Sequence, residues 1–267
     1  MAKREAPEIN AGSMADIAFL LLIFFLVTTT MDKDVAYLRK IPKKVETETP
    51  QTPIQEKNIY KITINSRNDI RARDSIIKPE DIGTLNNKIK HFYLVNRDKK
   101  EGREQDYPYY AFGTIDLYQT NLDAQINRLD ALESVKDRDD KTEKMIAQAE
   151  DAIAKWKDKL EMMKMYVQYS GKREMPEISF EAHIRLESFN DTDYSAYVAV
   201  QSEVQKAVTE LRDKEAKELF NTTYTAMQQT TQQLATEDTP ELRQIKQRME
   251  LIETLFPLKL IEVKPKR

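Results

Sequence analysis

The chain has 267 residues, 42 Lys and Arg against 45 Asp and Glu, and a formal net charge of −3. Without cysteine and with only two histidines, it excludes a disulfide framework, a thiol nucleophile and a three-histidine zinc site. Its five glycines are not clustered, which excludes a glycine-rich phosphate loop, and no basic excess exists to meet nucleic-acid phosphates. We therefore expect no cofactor, no metal and no nucleic-acid partner.

The first predicted element is an apolar helix over residues 14–31, where 14 of 18 residues are apolar. At about 1.5 Å per residue this helix spans about 27 Å, close to the ~30 Å hydrocarbon layer of a membrane. Because a helix satisfies its own backbone in lipid, we predict a single-pass transmembrane helix. A cleaved signal peptide is the alternative, but no small-residue cleavage site follows the run.

An acidic residue, Asp16, lies near the start of the apolar run. A carboxylate near the edge of the hydrocarbon layer costs on the order of 2–3 kcal/mol, so Asp16 is a candidate functional residue. The alternative is an ordinary acid at a helix start, favoured by the helix dipole. At helical spacing, the face of Asp16 carries five further residues that we expect to contact a partner or an aqueous path: Gly12, Leu20, Ile23, Val27 and Thr30.

Residues 9–17, with the apolar residues 20–27 that follow, resemble the ExbD/TolR family. Members of that family open with a short cytoplasmic tail, an Ile-Asn pair, an Asp six residues after the Asn and one membrane helix. Here the Asn is Asn10 and the Asp is Asp16, while Gly12 and Ser13 replace the usual Thr-Pro. The variant resembles the version found in Bacteroidetes-type ExbD proteins.

The resemblance implies that Asp16 is the proton-accepting carboxylate of an inner-membrane motor, and that the chain is not an enzyme. ExbD-like proteins form a homodimeric helix pair inside a ring of multi-pass ExbB-like subunits. The proton-motive force drives a movement that reaches a TonB-like partner and energises outer-membrane transport. Two alternatives stay open: a TolR-like subunit for envelope maintenance, with peptidoglycan as a partner, and a membrane-tethered scaffold with no proton relay.

The resemblance also implies that residues 1–13 are cytoplasmic and that everything beyond residue 31 is periplasmic. Charge counting alone favours the opposite orientation, because Lys3 and Arg4 precede the helix whereas five basic residues closely follow it. These are Lys33, Arg39, Lys40, Lys43 and Lys44. A long translocated domain overrides that bias, so we follow the resemblance.

Residues 32–57 combine charge with several prolines and show no apolar period, which predicts an extended tether. Residues 58–267 are predicted to form the periplasmic domain. Alternation of Tyr60, Ile62 and Ile64 predicts its first strand, and Pro79 begins a helix that ends near Leu94. Residues 96–113 are predicted to be a loop.

Two apolar repeats separated by the charged residues 136–141 predict a helical hairpin over about residues 114–170. ExbD domains are usually compact, so the resemblance implies that this hairpin is an insertion. Its apolar seam favours internal packing over a docking surface. The residues predicted to pack along it are Ile115, Tyr118, Leu122, Ile126, Leu129, Leu132, Met145, Ala149, Ala152, Trp156, Leu160, Met163 and Val167.

Alternation over residues 178–186 predicts one strand with a buried face, and it puts His183 on the polar face as a surface or edge residue. The order of strand, Asp193-Tyr194 and amphipathic helix resembles the second half of the ExbD periplasmic domain. A second Asp that the family often has before this Tyr is Phe189 here.

The C-terminal part of the chain predicts further helix over residues 215–235, a capped helix over 239–255 and a last strand over 258–263. Helices and strands thus interleave around one small sheet, which predicts an α+β domain.

Overall fold

The computed structural model describes residues 19–23, 54–136, 138–189, 191–234 and 239–263. The chain divides into two compact units, residues 1–50 and 51–267. Residues 19–23 are helical, and the rest of the predicted membrane helix and most of the predicted tether lie outside the described residues. Within those described ranges, no helix is long and apolar enough to cross a membrane.

The described part of the second unit contains seven strands: β1 (Ile59–Ile64), β2 (Ile70–Ala72), β3 (Ser75–Ile77), β4 (Tyr110–Gly113), β5 (Met175–Ile178), β6 (His183–Ser188) and β7 (Leu260–Val263). Five of them form a sheet in the order β3-β2-β1-β6-β7, so β1 is the central strand. It pairs antiparallel with β2 and parallel with β6, which pairs parallel with β7. Strands β4 and β5 form a separate antiparallel pair.

Six α-helices accompany the strands in the same part of the chain: α1 (Thr84–Leu94), α2 (Ile115–Glu133), α3 (Asp140–Ser170), α4 (Tyr194–Phe220), α5 (Tyr224–Gln233) and α6 (Pro240–Leu255). The core lies between the five-stranded sheet and helices α1 and α4, and the ring of Tyr60 meets the ring of Phe92 edge-on at 5.3 Å. The predicted α+β class is therefore confirmed. Alternate residues of β1 and β6 point into this core: Tyr60, Ile62, Ile64, Ile184 and Leu186.

Helices α2 and α3 form the predicted hairpin and pack on each other. A side chain caps the start of each helix. The Thr114 side chain accepts a hydrogen bond from the backbone amide of Leu117, and the Asp139 side chain accepts one from the backbone amide of Thr142. Gly171, with φ +69°, ends α3. Most of the fully buried residues lie near the base of the hairpin, and Ile126 of the predicted seam remains 36% exposed.

The prediction of a single strand over residues 178–186 is wrong. A turn closed by the Ala182 amide and the Ser179 carbonyl separates β5 from β6, and the two strands belong to different sheets. Phe180, which the alternation puts on the buried face, is 82% exposed in this turn. The prediction failed because apolar alternation continues unbroken while the chain changes sheets.

The predicted exposure of His183 is also wrong, since only 3% of this residue is accessible. Its Nδ1 lies 2.7 Å from the carbonyl oxygen of Glu181, in the turn that folds over it. The Glu181 carboxylate in turn accepts a hydrogen bond from the Asn58 amide, 2.8 Å away. Contacts from this turn, which the strand pattern did not predict, explain the burial.

Smaller differences concern short strands and the borders of helices. The predicted loop over residues 96–113 contains β4, and β2 and β3 were not predicted. A short 3-10 turn, Pro79–Asp81, precedes α1, which begins at Thr84. The helix predicted over residues 215–235 is interrupted because Asn221 has a left-handed φ of 54° and ends α4.

Candidate functional site

The structure describes two of the six residues predicted for the membrane site. Leu20 and Ile23 lie in the helical residues 19–23 and are 64% and 39% exposed. All five residues of this stretch are apolar and exposed, which is typical of a surface that lipid or a partner covers. The other four, Gly12, Asp16, Val27 and Thr30, lie outside the described residues.

The chain enters the domain at the centre of the five-stranded sheet. A 3-10 turn, Glu56–Asn58, leads into β1. Six consecutive residues of β1 pair in register with β6, from Ile59 opposite His183 to Ile64 opposite Ser188. The segment before β1 therefore leads directly into a strand that is paired on both sides.

A cleft of about 1020 Å³ opens beside the start of β1. One wall is built from three elements that meet at the ring of Tyr107. His91 of α1 contacts this ring edge-on, with centroids 5.0 Å apart. The guanidinium of Arg73, from the turn after β2, lies 4.6 Å from the ring centroid, and its Nη2 donates to the carbonyl oxygen of Asp106.

Asn96 holds the loop that carries Tyr107. This side chain is fully buried. Its Nδ2 donates to the carbonyl oxygens of Glu104 and Pro108, at 2.9 and 3.1 Å, and its Oδ1 accepts from the Glu104 amide at 2.9 Å. Both ends of the amide are thus satisfied, which gives the loop a defined path. This arrangement could not be predicted from the sequence, because the loop has no apolar period.

Three basic residues lie side by side across the open face of the sheet. Lys61 of β1 is in register with Arg185 of β6, and the Arg73 amide donates to the Lys61 carbonyl at 2.8 Å. The alignment of these three residues is not evident from the sequence either. Alternation in the sequence indicates that Lys61 and Arg185 both point away from the core. It does not indicate the strand register that places them opposite each other.

A polar cluster joins the base of the hairpin to the two-stranded sheet of β4 and β5. The Tyr118 hydroxyl of α2 donates to Glu177 of β5 at 2.5 Å, and the Lys159 ammonium of α3 lies 3.2 Å from the same carboxylate. Burial and the hydrogen bond to Glu177 raise the pKa of Tyr118 well above its usual range. The cluster therefore favours a neutral tyrosine at the point where the hairpin meets the domain.

The Asp-Tyr pair at the start of α4 occupies the position that the sequence predicts. Asp193 precedes the helix, and its Oδ2 accepts a hydrogen bond of 2.6 Å from Asn68. Tyr194 is 79% exposed and stacks on Tyr197, and Phe189 is partly exposed nearby in the chain. The described ranges contain no group of three or more His, Asp or Glu residues that could hold a metal ion.

Comparison with known protein families matches residues 2–212 to the family described as biopolymer transport protein ExbD/TolR. The matched range includes the apolar segment, the Asp-Tyr pair and all strands up to β6. Neither the curated proteins nor the solved structures contain a significant match. Since the family match covers well over half of the chain, this protein belongs to the ExbD/TolR family of biopolymer transport proteins.

Proposed function

We propose that this chain is the ExbD-like subunit of an inner-membrane motor driven by the proton-motive force. Together with a ring of ExbB-like subunits, it energises a TonB-like partner for transport across the outer membrane. Residues 14–31 form its single membrane helix, residues 1–13 are cytoplasmic, and the α+β domain is periplasmic. Two copies lie as a pair inside the ring. Its work is mechanical, and it makes or breaks no covalent bond.

The observation that carries the proposal is one carboxylate, Asp16, within a helix-length segment of a family member in which 14 of 18 residues are apolar. An acid in such a position is costly unless it faces a partner or an aqueous path. Asp16 therefore carries the proton, and Gly12, Leu20, Ile23, Val27 and Thr30 line its helix face toward the ring.

The entry of the chain into the domain supports a role in passing on movement. A domain pulled through residues 32–57 receives the load at its central strand, β1, rather than at an edge. β1 is hydrogen-bonded to β2 on one side and to β6 on the other. This geometry suits a domain that must stay folded while the tether transmits force.

Co-purification tests the assembly directly. The full chain, expressed at its normal level with an affinity tag and extracted in mild detergent, should carry a multi-pass ExbB-like subunit in more copies than itself. A chain that purifies without any multi-pass partner, under conditions that keep other inner-membrane complexes intact, would contradict the proposal.

A TolR-like role in envelope maintenance is the second candidate, because the family match covers both kinds of protein. The two differ in the phenotype of a deletion. Loss of energised uptake with an intact envelope supports the ExbD-like role. Leakage of periplasmic proteins and sensitivity to detergents, with uptake unchanged, supports the TolR-like role. Unchanged uptake and envelope would leave a scaffold without a proton relay.

A further inference from the structure

Lys61 of β1 and Arg185 of β6 place like charges directly opposite each other on adjacent strands, and Arg73, in the turn after β2, lies next to Lys61. Such pairs destabilise a sheet, since cross-strand neighbours are only about 5 Å apart. Lys61 is compensated by an ion pair of 2.9 Å with Glu187. In the described part of the chain, neither Arg73 nor Arg185 forms an ion pair.

Both arginines also have a buried nitrogen without an acceptor. Nη1 of Arg73 and Nε of Arg185 are shielded from solvent, and neither finds a hydrogen-bond partner among the described residues. Buried donors are normally satisfied, so the chain itself leaves both guanidinium groups incompletely paired. The outer nitrogens of Arg185 are not buried and have no hydrogen-bond partner among the described residues, so a group in the cleft can reach them. Carboxylates suit the planar fork of an arginine particularly well.

The backbone at Arg73 is strained in the same place. Its φ of 50° lies in the left-handed region, which a residue with a long side chain rarely adopts. This conformation directs the chain through the tight turn between β2 and β3 while the guanidinium is held against Tyr107. Strain of this kind persists where the surroundings over-determine it, often at binding sites.

The remaining lining of the cleft indicates which anion fits. Five Lys and Arg residues outnumber three carboxylates, and three amide side chains complete the polar surface. The carboxylates repel a densely charged phosphate surface but can accept peptide N–H groups. A second cleft of about 650 Å³ shares Lys61 and Arg73 with the first, so the basic surface is elongated.

From these observations we propose that the cleft binds an extended, acidic segment of a protein partner. Carboxylate side chains of that segment accept hydrogen bonds from Arg73 and Arg185, and its backbone contacts the amide side chains. This proposal is independent of the proton relay, because it concerns a surface of the folded domain and holds whether the motor is ExbD-like or TolR-like.

The test is a titration of the full chain in neutral detergent with a fluorescent peptide of alternating Glu and Ser, followed by anisotropy. The wild-type chain should bind this peptide at low salt and bind it more weakly as the salt concentration rises. It should not bind an uncharged Gln-Ser peptide. The double substitution R73Q/R185Q should weaken binding by about tenfold or more. R73K/R185K, which keeps the charge, should retain part of the affinity.

The matched control is K144Q/K157Q, which removes two positive charges from exposed positions of α3. It should leave peptide binding unchanged. Since glutamine at position 185 relieves the repulsion opposite Lys61, the thermal midpoint of R185Q should stay the same or rise while its peptide binding weakens. This readout separates a ligand role from a purely structural one.

Four outcomes would overturn the proposal. The first is no binding of the Glu-Ser peptide by the wild-type chain. The second is an equal loss in K144Q/K157Q, which would indicate unspecific charge attraction. The third is a lower thermal midpoint of R185Q, which would make Arg185 structural. The fourth is a requirement for these arginines in binding phosphatidylglycerol vesicles or peptidoglycan fragments but not the peptide.

Discussion

Arg97 and Glu215 form an ion pair of 2.7 Å in which only 9% of each side chain is exposed. Arg97 follows α1 and Glu215 lies in α4, so the pair joins the two helices that cover the sheet. Burial acts to lower the pKa of Arg97, but the charge and hydrogen bond of Glu215 act in the opposite direction, and the net result is a raised pKa. Glu215 thus offsets the cost of burying the Arg97 guanidinium.

Removing one partner of this pair should be strongly destabilising. Glu215→Ala leaves a buried guanidinium without its carboxylate, and we expect the free energy of unfolding to fall by about 3–5 kcal/mol. Urea unfolding followed by circular dichroism measures it. The double substitution Arg97→Met with Glu215→Leu removes both charges and should cost much less.

An exposed ion pair in the same chain is the control for that prediction. Lys155 and Asp151 of α3 are 71% and 63% exposed, so Lys155→Ala should change the free energy of unfolding by less than about 0.5 kcal/mol. If Glu215→Ala costs no more than Lys155→Ala, the buried pair does not hold α1 and α4 together.

Gly113 allows a close approach of the Tyr118 side chain. A Cβ atom at this position would overlap the Tyr118 hydroxyl and ring, whose position is fixed by the hydrogen bond to Glu177. Gly113→Ala should therefore destabilise the domain by about 1–3 kcal/mol, measured by chemical unfolding. Gly83→Ala is the matched control, since nothing lies within 4 Å of its added carbon. Gly83→Ala should leave the free energy of unfolding unchanged. Equal losses of stability in both variants would refute the steric explanation.

The stability of the domain should fall in alkaline solution as buried tyrosines ionise. Burial and the hydrogen bond to Glu253 raise the pKa of Tyr224 from 10.0 to about 12. The folded state thus holds this proton more tightly than the unfolded state. Stability from this group is complete below pH 10.0 and is lost progressively as the pH rises through about 12.

Urea midpoints measured across that alkaline range test the prediction for Tyr224. In Tyr224→Phe, stability should fall less steeply with pH than in the wild-type chain. Part of the fall remains, because other buried tyrosines also ionise. Tyr194→Phe, which changes a hydroxyl on a 79% exposed residue, should leave the slope unchanged. Identical slopes for Tyr224→Phe and the wild type would contradict the assignment.

Local patterns predicted most of the elements in this fold. Alternation at Tyr60, Ile62 and Ile64 marks β1, and Asp193, Thr114 and Thr239 stand at helix starts as their residue types suggest. Short strands escaped prediction because β2 and β3 have three residues each, too few for a period to emerge. The change of sheet after Ile178 escaped because alternation does not record which neighbour a strand pairs with.

The two candidate sites differ in how much of each could be predicted from the sequence. Asp16 is identifiable because the contrast between one acid and its apolar neighbours is local. The basic row is different, since Arg185 lies far from Lys61 and Arg73 in sequence and meets them only through the register of β1 and β6. Cross-strand register depends on tertiary packing, so this surface required the structure.

The most direct test of the proton relay is the rate of energised uptake in cells whose only copy of the chain carries Asp16→Asn at wild-type abundance. Asparagine keeps the size of the side chain but cannot take up and release a proton at neutral pH. We expect uptake to fall to the level of a deletion strain, while Asp32→Asn, just beyond the apolar run, retains wild-type uptake. Wild-type uptake in the Asp16→Asn strain would contradict the proposed mechanism.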